Sequence, residues 1–87
     1  MDITKGKKVE IEYPCRWEYR LVGRDEFGIK EYAKRLAGEK PHSLGDSNKS
    51  SSGKFSSIIF EVLVYNEDER VYFYEELRKN SDILYIL

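Results

Sequence analysis

Apolar and polar residues alternate along two segments of the chain, and a period of two residues is typical of strands with one buried face. In residues 15–22, Trp17, Tyr19 and Leu21 fall on one face, and charged residues fall on the other. Residues 54–65 alternate in the same way, and one face there is apolar throughout. Its members are Ile58, Phe60, Val62 and Val64. We therefore predict two strands whose apolar faces contribute to one core.

Two other segments show the period of an amphipathic helix, with apolar residues three and four positions apart. The stripe of the first segment consists of Ile29, Tyr32, Ala33 and Leu36. Asp25 precedes it as an N-cap, and Gly38 stands where a helix stop is expected. The second segment follows Asn66, a strong N-cap, with Glu69 in the capping-box position. Its apolar stripe consists of Phe73, Tyr74 and Leu77.

Three further segments complete the order of elements. Residues 39–46 contain Pro41, which cannot donate a hydrogen bond inside a sheet, so a strand here belongs at an edge. Residues 48–53 are serine-rich and predict a hairpin loop, and the apolar residues 83–87 predict a last strand. This order is that of the α+β ferredoxin-like βαββαβ sandwich, with two helices on one face of a four-stranded antiparallel sheet. Right-handed crossovers place the first and third strands in its middle.

The length of 87 residues is enough for one domain. Residues 1–8 are polar and carry three lysines, so we expect a mobile N-terminal tail. Residues 9–87 are then the single domain. Residues 9–12 alternate briefly and could form a short lead-in strand.

Composition narrows the class of protein. The net charge is −1, which argues against a strongly basic nucleic-acid binder. One cysteine forbids an internal disulfide, and no apolar run is long enough to cross a membrane. We expect a cytoplasmic protein that needs neither a cofactor nor a metal, because one histidine and one cysteine cannot build a zinc site of those residues alone.

Several short segments, in this order, carry a resemblance to a known family. They are Tyr13-Pro14, the run WEYRLVG at 17–23, the serine-rich SSSG at 50–53 and YEEL at 74–77, followed by a terminal strand ending at Leu87. This set resembles the YbeD-like bacterial proteins of unknown function. The resemblance implies a fold similar to the ACT regulatory domains, which bind small metabolites at subunit interfaces, and a regulatory role near lipoate metabolism. It supplies no catalytic residues.

A ligand site is the first functional hypothesis. Gly23, Arg24 and Asp25 join the first strand to the first helix, and a helix N-terminus can hold a carboxylate or phosphate. ACT-like domains also place ligands near this loop, so a small metabolite is the expected ligand. A tight turn capped by Asp25 explains the same three residues without any ligand.

An interaction surface is the second functional hypothesis. If one sheet face packs on the helices, four aliphatic residues face away from them: Ile59, Leu63, Leu84 and Ile86. Monomers rarely expose such a patch, so we expect a homodimer, or contact with another protein, through this face. The alternative is that residues 9–12 fold across the face and cover it.

RNA binding and catalysis are weaker alternatives. RNA-recognition modules share this topology and stack bases on aromatic residues of the central strands. Here Phe55 is the one aromatic residue suited to stacking, while Glu61 on the same face repels phosphate. Catalysis by Cys15 would need a nearby base, and His42 is the one histidine. We therefore expect a non-enzymatic regulatory or interaction module.

Overall fold

Six elements follow one another in the predicted order in a computed structural model, which describes residues 11–46 and 54–87. They are β1 (Cys15–Gly23), α1 (Glu26–Ala37), β2 (His42–Asp46), β3 (Ser56–Val64), α2 (Glu67–Arg78) and β4 (Ile83–Ile86). The predicted ferredoxin-like α+β fold is confirmed. The tail at 1–8 and the loop at 48–53 lie outside the described residues. Of the lead-in strand at 9–12, the described residues Ile11 and Glu12 are not in a strand.

The four strands form one antiparallel sheet in the order β2-β3-β1-β4. β1 and β3 are central, as predicted, and pair over nine residues from Cys15 opposite Val64 to Gly23 opposite Ser56. β2 follows Pro41 and lies at one edge, also as predicted. β4 pairs with β1 only at Leu21–Gly23, with a shift of register between Val22 and Gly23. The sheet is therefore complete on the β3 side of β1 but short on the β4 side.

Side-chain caps fix the beginnings of both helices. The Asp25 carboxylate accepts a hydrogen bond from the backbone N–H of Gly28 at 3.0 Å, and the Asn66 side chain accepts one from the N–H of Glu69 at 2.8 Å. The Glu69 carboxylate reaches back to the N–H of Tyr65 at 2.9 Å. A capping box would have joined it to Asn66, one residue later. Each helix therefore begins where the sequence predicts, with one contact displaced by a residue.

The core lies between the sheet and the two helices. Its buried apolar residues are Tyr19, Leu21, Ile29, Ala33, Ala37, Ile58, Phe60, Val62, Val64, Phe73, Leu77 and Ile83. Trp17 is half-buried at the margin of this cluster. Tyr74, predicted to belong to the apolar stripe of α2, is 39% exposed and lies outside the core. No helix within residues 11–46 and 54–87 is long and apolar enough to cross a membrane.

Candidate functional site

The loop between β1 and α1, proposed above as a ligand site, has a structural use for each of its residues. A Cβ atom on Gly23 would lie 2.1 Å from the carbonyl oxygen of Asp82 and 2.5 Å from Cδ1 of Ile29. The Arg24 guanidinium lies over the Phe55 ring, 5.3 Å from its centroid, and Asp25 caps α1. The tight, capped turn thus accounts for all three residues, and the metabolite site stays a prediction.

Two residues of the predicted interface lie where the alternation places them. Ile59 and Leu63 are half-buried and pair with Arg20 and Arg16 of β1, on the face away from the helices. Glu61 lies between them and accepts a hydrogen bond from Nε of Arg16 at 2.8 Å. The open face is therefore a mixture of apolar and paired charged residues. Its use as a dimer interface stays a prediction.

The predicted orientation of Ile86 is wrong. Ile86 pairs with Leu21, and residues directly opposite on neighbouring strands share a face. Since Leu21 is fully buried, Ile86 points to the helices and packs against the core. The register shift in β4 causes this, because it breaks the strict alternation that the prediction assumed. Leu84, in the same short strand, is 42% exposed, as an interface residue would need to be.

The surface suggested for RNA offers little of what base stacking requires. The Phe55 ring, half-buried in the structure, already contacts Arg24. The neighbouring open face carries Glu18 directly opposite Glu61, and carboxylates repel a phosphate backbone. The structure therefore adds no observation in favour of RNA.

A cavity that the sequence did not reveal lies between α2 and the edge of β1, and we call it the α2–β1 cavity. Its volume is about 420 Å³. Three elements line it, with Trp17, Glu18 and Tyr19 from β1, Arg70, Val71 and Tyr74 from α2, and Ile86 and Leu87 from the end of the chain. Most of these side chains are apolar or aromatic, which is typical of sites that bind hydrophobic groups.

The geometry of the cavity follows from two local features. β4 pairs with only the last three residues of β1, so within residues 11–46 and 54–87 the first half of β1 has no strand beside it on the β4 side. On α2, Phe73 and Leu77 turn to the core, and the exposed neighbours Val71 and Tyr74 turn to the cavity. Sequence reasoning assigned Tyr74 to the core and missed the site. The signal in the sequence that could have indicated this cavity is the presence of aromatic residues on both β1 and α2.

Arg70 anchors the inner rim of the cavity. Its guanidinium lies over the Trp17 ring, 5.0 Å from the centroid, and its Nε donates to the Tyr13 hydroxyl at 3.1 Å. That hydrogen bond raises the pKa of Arg70 above its ordinary value. The backbone carbonyl of Arg70 accepts a hydrogen bond from the Tyr19 hydroxyl at 2.5 Å. Burial raises the pKa of Tyr19 well above its usual range, so the hydroxyl keeps its proton.

Ionisable groups elsewhere are held in their ordinary charged states. Hydrogen bonds from the N–H of Tyr65 and from Lys40 hold the pKa of Glu69 below its usual value. Hydrogen bonds to carboxylates raise the pKa of Lys30 and of Lys79. Each of these shifts moves the group away from the neutral range that suits a general acid or base.

The candidates for catalysis and metal binding are few in the described part of the chain. Cys15 is a half-buried free cysteine. Nδ1 of His42 lies 2.7 Å from the carbonyl oxygen of Lys40, and its ring packs against Phe60 at 6.4 Å between centroids. No group of three or more histidine, cysteine, aspartate or glutamate residues in residues 11–46 and 54–87 is placed to hold a metal ion.

The sheet order, the two covering helices and the α2–β1 cavity define a small ferredoxin-like α+β protein. The chain belongs to the family described as "Protein of unknown function (DUF493)", whose sequence model matches residues 8–87. The family of unknown function expected from the sequence is thus confirmed at this level, and the narrower YbeD-like resemblance stays a prediction.

Similar proteins are known from Helicobacter pylori and Campylobacter jejuni. An uncharacterized protein from Helicobacter pylori strain 26695 is 30% identical over 86 residues, covering 97% of this chain and 98% of its own length. Uncharacterized protein Cj0253 from Campylobacter jejuni is 26% identical over 75 residues, covering 86% of each chain. A solution structure of protein HP0495 from H. pylori superposes with a TM-score of 0.82 at 28% identity, covering 97% of this chain and 92% of that chain. These likenesses support the fold.

Proposed function

We propose that the protein is a non-enzymatic interaction module that binds a hydrophobic group of a partner protein in the α2–β1 cavity. The observation that carries this proposal is the cavity itself, which has apolar walls on β1 and α2. Val71 and Tyr74 are 41% and 39% exposed at its wall. Burying one large apolar side chain there would contribute roughly 1.5–3 kcal/mol, which suits a reversible contact.

The surroundings of the cavity support binding rather than chemistry. The charged residues in its lining are Arg70 and Glu18, and the Glu18 side chain lies on the other face of the sheet, with Glu61. Arg70 is held by Tyr13 and Trp17, and a protonated guanidinium is a poor general acid or base. Acid–base catalysis needs paired groups whose pKa values are pushed apart. The pKa shifts described above keep the Glu69 carboxylate ionised and Lys30 and Lys79 protonated instead.

Photo-crosslinking in the native host tests this function. A photoreactive amino acid replaces Val71 in the cavity wall, and the matched control replaces Glu75, an exposed residue of the same helix outside the cavity lining. We expect a discrete protein adduct at position 71 that is absent at position 75. The adduct should disappear when Tyr74→Asp introduces a charge into the wall. Equal adducts at both positions, or an adduct with a small molecule only, would contradict the proposal.

Self-association through the open sheet face is a separate part of the original hypothesis. It is supported by the half-buried Ile59 and Leu63. Leu84 is exposed, but the register skips it and it lines a cavity with Tyr74 and Arg78 of α2, so it adds no support, and neither does Ile86. The mass in solution of the wild type and of Ile59→Glu tests it. A wild-type dimer that becomes a monomer in the variant would support this interface, and a wild-type monomer at high concentration would exclude it.

A further inference from the structure

Half of β1 has an open hydrogen-bonding edge. Arg20 exchanges two backbone hydrogen bonds with Leu87, at 3.2 and 2.9 Å. Backbone groups of a strand in an antiparallel sheet point to alternate sides, so those of Glu18 and Arg16 point to the same side as those of Arg20. Within residues 11–46 and 54–87, no strand pairs with Glu18 or Arg16 on that side. Each therefore offers an N–H and a carbonyl to an added strand.

The α2–β1 cavity lies beside this edge. Side chains of a strand alternate between the two faces of a sheet, so a strand added next to residues 17–19 would direct every second side chain towards α2. There it would meet Trp17 and Tyr19 of β1 and Val71 and Tyr74 of α2. The edge and the cavity together thus suit an extended chain with large apolar residues at the two positions opposite Trp17 and Tyr19.

On an added strand, the residue opposite Glu18 would direct its side chain to the other face of the sheet, away from α2. A positively charged side chain is favoured there. The neighbour of Glu18 on β3 is Glu61, also an acid, and Glu61 is held by Arg16 at 2.8 Å. Among the described residues, Glu18 forms an ion pair with Arg20, with 4.0 Å between Nη2 and Oε2. The Glu18 side chain is 51% exposed. A lysine or arginine on the added strand would therefore complement Glu18.

We propose that the open edge of β1 binds an extended segment of a partner protein by β-strand addition. The recognised core is apolar–basic–apolar, with the basic residue opposite Glu18 and the apolar residues in the α2–β1 cavity. This inference rests on the proposed function, since it names the kind of partner that fills the cavity.

A synthetic peptide tests the inference on the full chain. The probe is a fluorescein-labelled pentapeptide with a valine–lysine–leucine core followed by two threonines, so that it lies opposite residues 15–19 of β1 and stops short of Leu87. We expect saturable binding, with amide shifts and slowed hydrogen exchange in NMR spectra at Arg16 and Glu18. N-methylation of the backbone nitrogen of the lysine removes the N–H that would donate to the edge of β1. This change should weaken binding at least tenfold. Equal binding of the methylated peptide, absence of binding at millimolar concentration, or shifts confined to β2 would overturn the proposal.

Charge reversal separates the strand contact from the cavity contact. Replacing the lysine of the peptide by glutamate should weaken binding to the wild type about threefold to tenfold. Glu18→Lys should reverse this preference, and Glu75→Lys, an equal charge change on exposed α2, should leave it intact. An unchanged preference in Glu18→Lys would overturn strand addition. If Tyr74→Asp still abolished the crosslink from position 71 in that case, the proposed function would stand without the strand.

Discussion

Gly23 offers a sharp test of how β1, α1 and β4 are packed, because this glycine sits where three elements meet. Gly23→Ala would place a Cβ atom 2.1 Å from the carbonyl oxygen of Asp82 and 2.5 Å from Cδ1 of Ile29. Real Cβ atoms essentially never approach other atoms within 3.0 Å. Asp82 contributes a backbone atom and Ile29 is fully buried, so neither can move aside cheaply. Gly23 also pairs with Ile83, so the displacement would reach β4.

We expect Gly23→Ala to lower the free energy of unfolding by about 2–3 kcal/mol, at the upper end of the cost of overpacking. For a domain of this size each kcal/mol lowers Tm by roughly 4–8 °C. The assay is urea and thermal unfolding followed by circular dichroism. Gly45→Ala is the matched control, since its added Cβ meets nothing within 4 Å. If the two variants unfold alike, the close packing at Gly23 is wrong. The glycine at this position would then need another explanation, such as a role in ligand binding.

Three further predictions concern single residues: Gly38, Tyr19 and Glu69. Gly38, the C-cap of α1, has a φ of 63°, so Gly38→Ala should cost about 1–2 kcal/mol in urea unfolding; an unchanged midpoint would contradict that conformation. Tyr19→Phe removes the hydroxyl that donates to the Arg70 carbonyl and should cost about 1 kcal/mol by the same assay, whereas Tyr85→Phe, on a ring 63% exposed, should cost nothing measurable. The lowered pKa of Glu69 means that its stabilising effect is complete above its ordinary value of 4.5 and is lost as the pH falls through the folded value. Urea midpoints of wild type and Glu69→Gln should therefore converge below pH 4.5, and a constant gap would refute this origin.

The elements and their order could be predicted because the signals for them are local. Alternation in β1 and β3 marks their buried faces, and Asp25 and Asn66 mark the helix starts through side-chain oxygens that reach three residues along the chain. Topology then followed from the handedness of the two crossovers. The edge position of the strand after Pro41 could be predicted from the missing N–H of proline alone. Each of these inferences uses physics that acts within a few residues or within one βαβ unit.

The candidate site could not be predicted in the same way, because it depends on how two distant segments meet. The face of Ile86 is decided by a register shift against β1, and neither segment alone encodes it. The α2–β1 cavity exists because β4 pairs with three residues of a nine-residue strand. Tyr74 has the spacing of a core residue, yet it borders the cavity, whereas Phe73 and Leu77 are the α2 residues buried in the core. Pairing length and helix rotation are properties of the assembled sheet.

An open edge on a central strand is usually an aggregation hazard, and charged side chains are a common protection. Arg16 and Glu18 supply both signs of charge at this edge, and α2 lies across the α2–β1 cavity from it. The same charges and the neighbouring cavity would determine which segments can bind at this edge. In the proposed strand addition, the partner would arrive as a single extended strand, complement Glu18, and bring apolar side chains for the space beside Trp17. Protection against indiscriminate pairing and selectivity for one class of segment would then come from the same few residues.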